Sequence, residues 1–173
     1  MSNTVVLVGP MGAGKSSVGR RLAARLGFEF ADTDAEIERR TGVDIPYIFE
    51  REGEPGFRQR EAQVLSDWVG KRDTVLATGG GIIVTPENVA LLAAHAPVVY
   101  LHASVAQQFE RVRHGKHRPL LAGDDPKGTL TRLFETRDPV YREVADLFID
   151  TDGERVERVA RRIEQQLLET QAD

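Results

Sequence analysis

The sequence contains no cysteine, so disulfide bonds, thiolate metal sites and cysteine nucleophiles are excluded. No stretch approaches the roughly 20 apolar residues that a membrane helix needs. The first ten residues carry no positive segment followed by a long apolar run, so we expect no signal peptide. Together these absences predict a cytoplasmic protein that does not contact a membrane.

Basic residues are also fewer than acidic residues. The 173 residues include 23 Lys and Arg against 27 Asp and Glu, which gives a formal net charge of −4. This balance argues against a generally basic surface that would bind nucleic acid. The length predicts one domain, 1–173, with one hydrophobic core, and we expect a monomer.

Short apolar runs alternate along the chain with segments of helical periodicity. The pattern predicts strands at 4–8, 28–31, 74–77, 98–101 and 147–149. It predicts helices at 15–26, 33–40, 45–52, 57–69, 86–94, 105–113, 130–144 and 154–168, with Pro139 interrupting or ending the helix that contains it. Alternation of this kind favours an α/β fold in which helices cover both faces of a five-stranded parallel sheet. Ligands bind at the carboxyl ends of the strands in such sheets.

The first predicted strand leads into a glycine-rich segment. Residues 9–16 read Gly-Pro-Met-Gly-Ala-Gly-Lys-Ser and fit the phosphate-binding pattern G-x-x-x-x-G-K-[ST] at every fixed position. Gly12 and Gly14 allow a tight turn whose N–H groups point at phosphate, and the following helix adds its positive end. We expect Lys15 to reach the β- and γ-phosphates and the Ser16 hydroxyl to bind Mg²⁺. The predicted ATP-binding residues of this loop are Gly12, Ala13, Gly14, Lys15, Ser16 and Ser17.

Two carboxylates follow the second predicted strand, at Asp32 and Asp34. Residues two apart on an extended chain point the same way, so both would project toward the ligand crevice. One carboxylate could hold hydrated Mg²⁺ while the other accepts a proton from, or orients, an acceptor hydroxyl. The alternative is that one of them only caps the helix that begins near Thr33.

Several motifs in register, over nearly the whole chain, resemble those of the shikimate kinases. The matching segments are Gly9 to Ser16, Asp32-Thr33-Asp34, Gly53-Glu54 with Phe57-Arg58, Thr78-Gly79-Gly80-Gly81, Arg118-Pro119-Leu120-Leu121, and Arg137 with Pro139 and Tyr141. The resemblance implies a three-layer α/β/α P-loop NTPase fold. It also implies phosphorylation of the shikimate 3-hydroxyl by ATP with Mg²⁺, a step on the route to chorismate and the aromatic amino acids.

The resemblance assigns parts to the two carboxylates and to the segments that surround the acceptor. Asp32 would serve Mg²⁺ together with Ser16, and Asp34 would bond the shikimate hydroxyls as the base or orienting group. Region 33–61 would bind the acceptor, and region 111–127 would form a lid. The glycines of the third motif, Gly79, Gly80 and Gly81, would line the acceptor site.

The resemblance also assigns the shikimate carboxylate to Arg58 and Arg137. Planar, bidentate guanidinium groups suit a carboxylate better than lysines do. For Arg58 the alternative is a solvated helix face shared with Glu54 and Glu61, although Glu61 could instead hold Arg58 in place. For Arg137 the alternative is an exposed helix charge paired with Asp138.

Two further arginines are expected at the nucleotide. Arg118 lies in the basic segment predicted as a lid and would reach the phosphates, which makes Lys15, Asp34 and Arg118 the predicted catalytic residues. Arg155 follows the last predicted strand, where the family contacts adenine, and could stack on the base; the neighbouring Glu154 is the alternative contact.

The phosphate-binding loop alone leaves other functions open. Gluconate also joins a carboxylate to hydroxyl groups, so a gluconate kinase is the main alternative. A nucleoside monophosphate acceptor is disfavoured, because its ionised phosphate needs no base and Asp34 would repel it. A nucleotide-binding switch without chemistry is the third hypothesis, and it would need no paired arginines at an acceptor site.

Overall fold

A computed structural model describes residues 4–95, 97–113 and 123–172. The strands in these ranges are β1 Val5–Val8, β2 Glu29–Asp32, β3 Thr74–Ala77, β4 Val98–His102 and β5 Leu147–Asp150. The helices are α1 Lys15–Leu26, α2 Thr33–Thr41, α3 Ile45–Trp68, α4 Pro86–Ala94, α5 Val105–Val112, α6 Pro126–Val144 and α7 Val156–Ala172, with a short 3-10 helix at Ile82–Val84. Within the same ranges no helix is both long and apolar enough to cross a bilayer.

The five strands form one parallel sheet in the order β2-β3-β1-β4-β5, which confirms the predicted sheet. The central strand β1 pairs with β3 on one side and with β4 on the other. Its four residues are apolar and fully buried, as expected for a strand covered on both faces. Since β2 pairs with β3, the segments that follow β1, β2 and β3 emerge side by side at one edge of the sheet.

Alternate residues of β1 face the two helical layers. Val5 and Leu7 pack in one cluster with apolar residues of α1 and α7. Val6 and Val8 pack in the other cluster with residues of α3, α4 and α6. This period of two is what a strand imposes, and it confirms the predicted three-layer arrangement. A third, smaller cluster joins α2 to α3 away from the sheet; its buried members are Ile37, Ile48, Phe57 and Val64.

Helices α3, α6 and α7 differ from the sequence prediction; α7 spans Val156–Ala172 and not 154–168. The predicted helices at 45–52 and 57–69 form the single element α3, with a kink at Gly53, whose φ of 70° is not helical. Helix α6 begins at Pro126, earlier than predicted, because Asp125 accepts the N–H of Gly128 and caps it. Region 111–127 is therefore helical at both ends, and residues 114–122 lie outside the described ranges.

The prediction that Pro139 interrupts or ends its helix was wrong. Helix α6 continues through Pro139 to Val144. Tyr141 and Val144, beyond the proline, are buried against the sheet. Their packing offsets the backbone hydrogen bond that a proline removes from a helix.

The loop after β1 gives a test of the fold. Gly9 has φ 146°, and a Cβ atom placed there would lie 2.3 Å from the carbonyl oxygen of Leu101 in β4. Gly27 has φ 71° but open space around it. We expect Gly27→Ala to lower the free energy of unfolding by about 1 kcal/mol and Gly9→Ala by about 3 kcal/mol or more, because only Gly9 adds a steric clash to the backbone strain. Urea unfolding of both variants measures the difference; equal losses would show that β4 does not approach this loop closely.

Candidate active site

The segment after β1 wraps around the side chain of Lys15. Gly12 and Gly14 have positive φ angles of 81° and 86°, and Gly14 stands at the N-cap of α1. The Lys15 ammonium is buried and donates to the carbonyl oxygens of Gly9 and Pro10 at 2.7 and 2.8 Å. To reach a β- or γ-phosphate, Lys15 has only to exchange these carbonyls for phosphate oxygens. The turn therefore has the geometry that the sequence motif predicts.

Asp32 both caps a helix and contacts the phosphate-binding loop. Its Oδ1 accepts the N–H groups of Asp34 and Ala35 at 2.9 and 3.1 Å, at the start of α2. Its Oδ2 accepts the Ser16 hydroxyl at 2.5 Å. The capping alternative therefore applies to Asp32, but it uses only one of the two carboxylate oxygens.

Asp34 is not positioned as the alternation along an extended chain predicts, because α2 already begins at Thr33. Asp34 lies in the first turn of α2, and its carboxylate approaches the segment after β3. A Cβ atom placed on Gly79 would lie 2.9 Å from Asp34 Oδ1. The two carboxylates are thus separated: Asp32 faces Ser16, and Asp34 faces the glycines.

The segment Gly79, Gly80 and Gly81, called here the glycine loop, is covered by charged side chains. A Cβ on Gly79 would also lie 3.1 Å from Glu61 Oε2. A Cβ on Gly81 would lie 2.4 Å from both terminal nitrogens of Arg58, and one on Gly80 would lie 3.5 Å from Nη1 of Arg137. The missing Cβ atoms therefore make room for two carboxylates and two guanidinium groups, and these include all three charged residues predicted at the acceptor.

The N–H groups of the glycine loop are not equivalent. Gly79 donates its N–H to the buried hydroxyl of Thr33 at 3.0 Å. Within the described ranges, the N–H groups of Gly80 and Gly81 donate to no protein acceptor. Only these two N–H groups remain for a ligand. Sequence reasoning missed the part played by Thr33, although a hydroxyl between two aspartates was the available signal.

Arg58 does not lie on a solvated helix face, so that alternative was wrong. Its guanidinium pairs with Glu54 at 3.1 Å and with Glu61 at 3.0 Å, and its side chain is only 11% exposed. Glu61 is completely buried, and burial raises its pKa to about 7, with the nearby Asp34 charge adding to the rise and Arg58 opposing it. Glu61 therefore holds Arg58 against the glycine loop, as one of the alternatives predicted.

Arg137 is not an exposed helix charge, so that alternative was wrong. The residue is 7% exposed and faces Gly80 from α6. Asp138 pairs instead with Arg142 at 2.9 Å and accepts the Tyr100 hydroxyl at 2.6 Å. The guanidinium of Arg137 therefore points into the site, while its neighbour in sequence points away.

Arg111 links two loops on the nucleotide side of the sheet edge. Its Nη1 donates to the carbonyl oxygen of Gly12 at 2.7 Å, and its Nη2 donates to the carbonyl oxygen of Thr151 after β5 at 3.0 Å. Sequence reasoning placed Arg111 only among the charges of the lid region.

Arg155 lines a surface groove with Arg158, Arg161 and Arg162 of α7, and its stacking on adenine stays a prediction. Arg118 lies outside the described residues, so its role also stays a prediction.

Comparisons with known proteins match this chain to one family. The family model for shikimate kinase matches residues 11–168. A shikimate kinase of Halorhodospira halophila is 57% identical over 159 residues, which cover 92% of this chain and 90% of that protein. A shikimate kinase of a Marinomonas species is 53% identical over 161 residues, covering 92% and 88%. The solved structure of a shikimate kinase from Acinetobacter baumannii in complex with shikimate is 46% identical, with a TM-score of 0.96 and coverage of 100% of this chain and 97% of that one.

The raised pKa of Glu61 predicts a pH dependence of stability. Because this pKa of about 7 lies above the ordinary value of 4.5, the folded protein binds the proton more tightly than the unfolded chain does. Stability attributable to Glu61 should be complete below pH 4.5 and fall by about 2–3 kcal/mol as the pH rises to 7. Urea unfolding between pH 4.5 and 8 should show this fall in the parent protein but not in Glu61→Gln. Glu54→Gln, at the exposed partner of Arg58, should keep the parent slope; parallel curves for the parent and Glu61→Gln would contradict the assignment.

Proposed function

The chain belongs to the shikimate kinase family, and on that premise we propose that it transfers the γ-phosphoryl group of ATP to the 3-hydroxyl of shikimate. The observation that carries the proposal is the convergence of Asp34, Arg58 and Arg137 on the glycine loop. That loop follows β3, which pairs with the strand that leads into the phosphate-binding loop. An acceptor bound there lies next to the transferred phosphoryl group.

The acceptor site combines groups that match a carboxylate and a hydroxyl. Arg58 and Arg137 offer planar donors at opposite ends of the Gly80–Gly81 segment, whose N–H groups point at no protein acceptor in the described ranges. Such donors suit one bidentate carboxylate. Asp34, beside Gly79, would accept a hydroxyl proton or orient the hydroxyl. A phosphate acceptor would lie close to the Asp34 carboxylate, and like charges repel.

Transfer in this site depends on position and charge. A Cβ atom on Gly80 would lie 3.5 Å from the backbone nitrogen of Met11. The glycine loop and the phosphate-binding loop are therefore in contact. Lys15 and the N-terminus of α1 supply positive charge for the β- and γ-phosphates. With both substrates aligned, phosphoryl transfer needs no covalent enzyme intermediate.

Mg²⁺ is the cofactor that this proposal implies. In the described ranges no cluster of three or more His, Asp or Glu side chains suits a metal, so the protein would supply few ligands. The oxygens of Ser16 and Asp32, 2.5 Å apart, are the kind of donors that Mg²⁺ takes together with water and phosphate. Bound there, the ion would neutralise charge on the β- and γ-phosphates.

The proposed activity is tested by turnover with a panel of acceptors. We expect rapid ADP release with Mg-ATP and shikimate, at least about 100-fold slower release with gluconate, because its flexible open chain must be ordered on binding, and none with AMP, because Asp34 would repel its phosphate. A coupled assay measures the rates, and ³¹P NMR identifies the phosphorylated hydroxyl. Lys15→Ala and Asp34→Asn should abolish turnover while circular dichroism shows an intact fold. Faster turnover of gluconate, or none of any acceptor, would refute the proposal.

Replacing Arg58 separates acceptor binding from nucleotide binding. We expect Arg58→Ala to raise the KM for shikimate by about 30- to 100-fold, since it removes a charged hydrogen-bond donor, and to leave the KM for ATP within about twofold. Steady-state kinetics with each substrate varied in turn measure both values. Arg60→Ala is the matched control, because Arg60 lies on the same helix but pairs with Glu52 on the surface. Comparable increases in both KM values for Arg58→Ala would refute its role as a carboxylate ligand.

A further inference from the structure

Tyr141 belongs to one of the motifs singled out in the sequence, and no role has yet been given to it. It lies on α6, one helical turn after Arg137, and its side chain is buried. Its hydroxyl donates to the carbonyl oxygen of Gly80, in the centre of the glycine loop. The side chain therefore connects α6 to the loop that the acceptor is proposed to contact.

Each carbonyl of the glycine loop has its own partner. Gly79 and Gly81 accept the backbone N–H groups of Ile82 and Val84, as the start of the 3-10 helix requires. The carbonyl of Gly80 instead accepts the Tyr141 hydroxyl. No side chain on Gly80 limits the rotation of its peptide groups, so this hydrogen bond is what selects their orientation.

The orientation of the Gly80 carbonyl also sets the direction of an N–H group. The carbonyl of Gly80 and the N–H of Gly81 belong to one planar trans peptide and point in opposite directions. A Gly80 carbonyl held toward Tyr141 therefore aims the Gly81 N–H away from α6, on the side where Arg58 lies against Gly81.

Arg137 is held by the same contact region. Its Nη1 would lie 3.5 Å from a Cβ on Gly80, and its charge and hydrogen bonding lower the pKa of the Tyr141 hydroxyl, against the larger rise that burial causes. The ring of Tyr141 packs on Tyr100, with ring centroids 4.9 Å apart, which leaves the hydroxyl little freedom to turn elsewhere. The Tyr141 hydroxyl is thus held at Gly80, the residue that the Arg137 guanidinium also faces.

We propose that Tyr141 is a positioning residue for the acceptor carboxylate: its hydroxyl fixes the Gly80–Gly81 peptide, so that the Gly81 N–H points away from α6, toward the side of Arg58, where it can donate to the carboxylate. This inference rests on the proposed function, because it assumes that shikimate binds at the glycine loop. Tyr141 touches neither the acceptor hydroxyl nor the transferred phosphoryl group in this arrangement. Its effect should therefore be on acceptor affinity and not on the chemical step.

The test is removal of the hydroxyl alone. We expect Tyr141→Phe to raise the KM for shikimate about tenfold, with kcat and the KM for ATP within about twofold to threefold of the parent. Tyr100→Phe is the matched control, because the Tyr100 hydroxyl lies nearby but donates to Asp138 and not to the glycine loop. Both KM values of this variant should stay within about twofold of the parent. An equal rise in both KM values for Tyr141→Phe, or no rise, would overturn the inference.

A ligand without the carboxylate separates positioning from general damage to the site. The alcohol with CH₂OH in place of the shikimate carboxylate should bind the parent and Tyr141→Phe with dissociation constants within about twofold, measured by calorimetry. A tenfold loss for the alcohol as well would show a structural role only. Failure of the parent enzyme to phosphorylate shikimate would instead refute the proposed function.

A measurement on the unmodified enzyme does not depend on the folding of any variant. Shikimate added to ¹⁵N-labelled protein should shift the amide signal of Gly81 more than that of Gly79, whose N–H is already bonded to Thr33. A larger shift at Gly79 than at Gly81 would overturn the inference.

Discussion

The candidate site depends on the close approach of charged side chains to a backbone segment that carries no Cβ atoms. Asp34, Glu61, Arg58 and Arg137 come from three helices and meet over the glycine loop, where any side chain on Gly79 or Gly81 would collide with them. Bringing opposite charges together in a partly buried place is favourable only when each has a partner, and Glu61 meets that need for Arg58. The absence of Cβ atoms in the glycine loop thus exposes backbone N–H groups and also leaves room for the charged side chains above it.

The sheet topology explains why this cluster stands beside the phosphate-binding loop. In the order β2-β3-β1, the segments after three neighbouring strands supply Asp32 and Asp34, the glycine loop, and the loop around Lys15. Hydrogen bonds join these segments: the Ser16 hydroxyl, after β1, donates to Asp32 at the end of β2, and the N–H of Gly79, after β3, donates to Thr33. These hydrogen bonds therefore connect the segments that are proposed to contact the acceptor and the nucleotide.

Much of this could be predicted from the sequence, because the signals were local. The apolar strands, the glycine spacing before Lys15 and the alternation of strands and helices depend on residues close together in the chain. Predictions failed where distant packing outweighed a local preference. Pro139 does not stop α6, because Tyr141 and Val144 beyond it are buried against the sheet. The predicted position of Asp34 was wrong for a local reason: the chain is already helical from Thr33, within the predicted helix 33–40, so Asp34 faces the glycine loop while Asp32 faces Ser16.

By itself the sequence determined the α/β class, the phosphate-binding loop and, through its motifs, the family and the residue types at the acceptor. Only the tertiary structure decided which hydrogen bonds and ion pairs those residues form. It assigned Asp32 to both a cap and Ser16, paired Arg58 with Glu61 but not Arg137 with Asp138, and gave the Gly79 N–H to Thr33 and the Gly80 carbonyl to Tyr141. The physical reason is that a hydrogen bond depends on distances of a few tenths of an ångström between residues far apart in the chain, which no local pattern encodes.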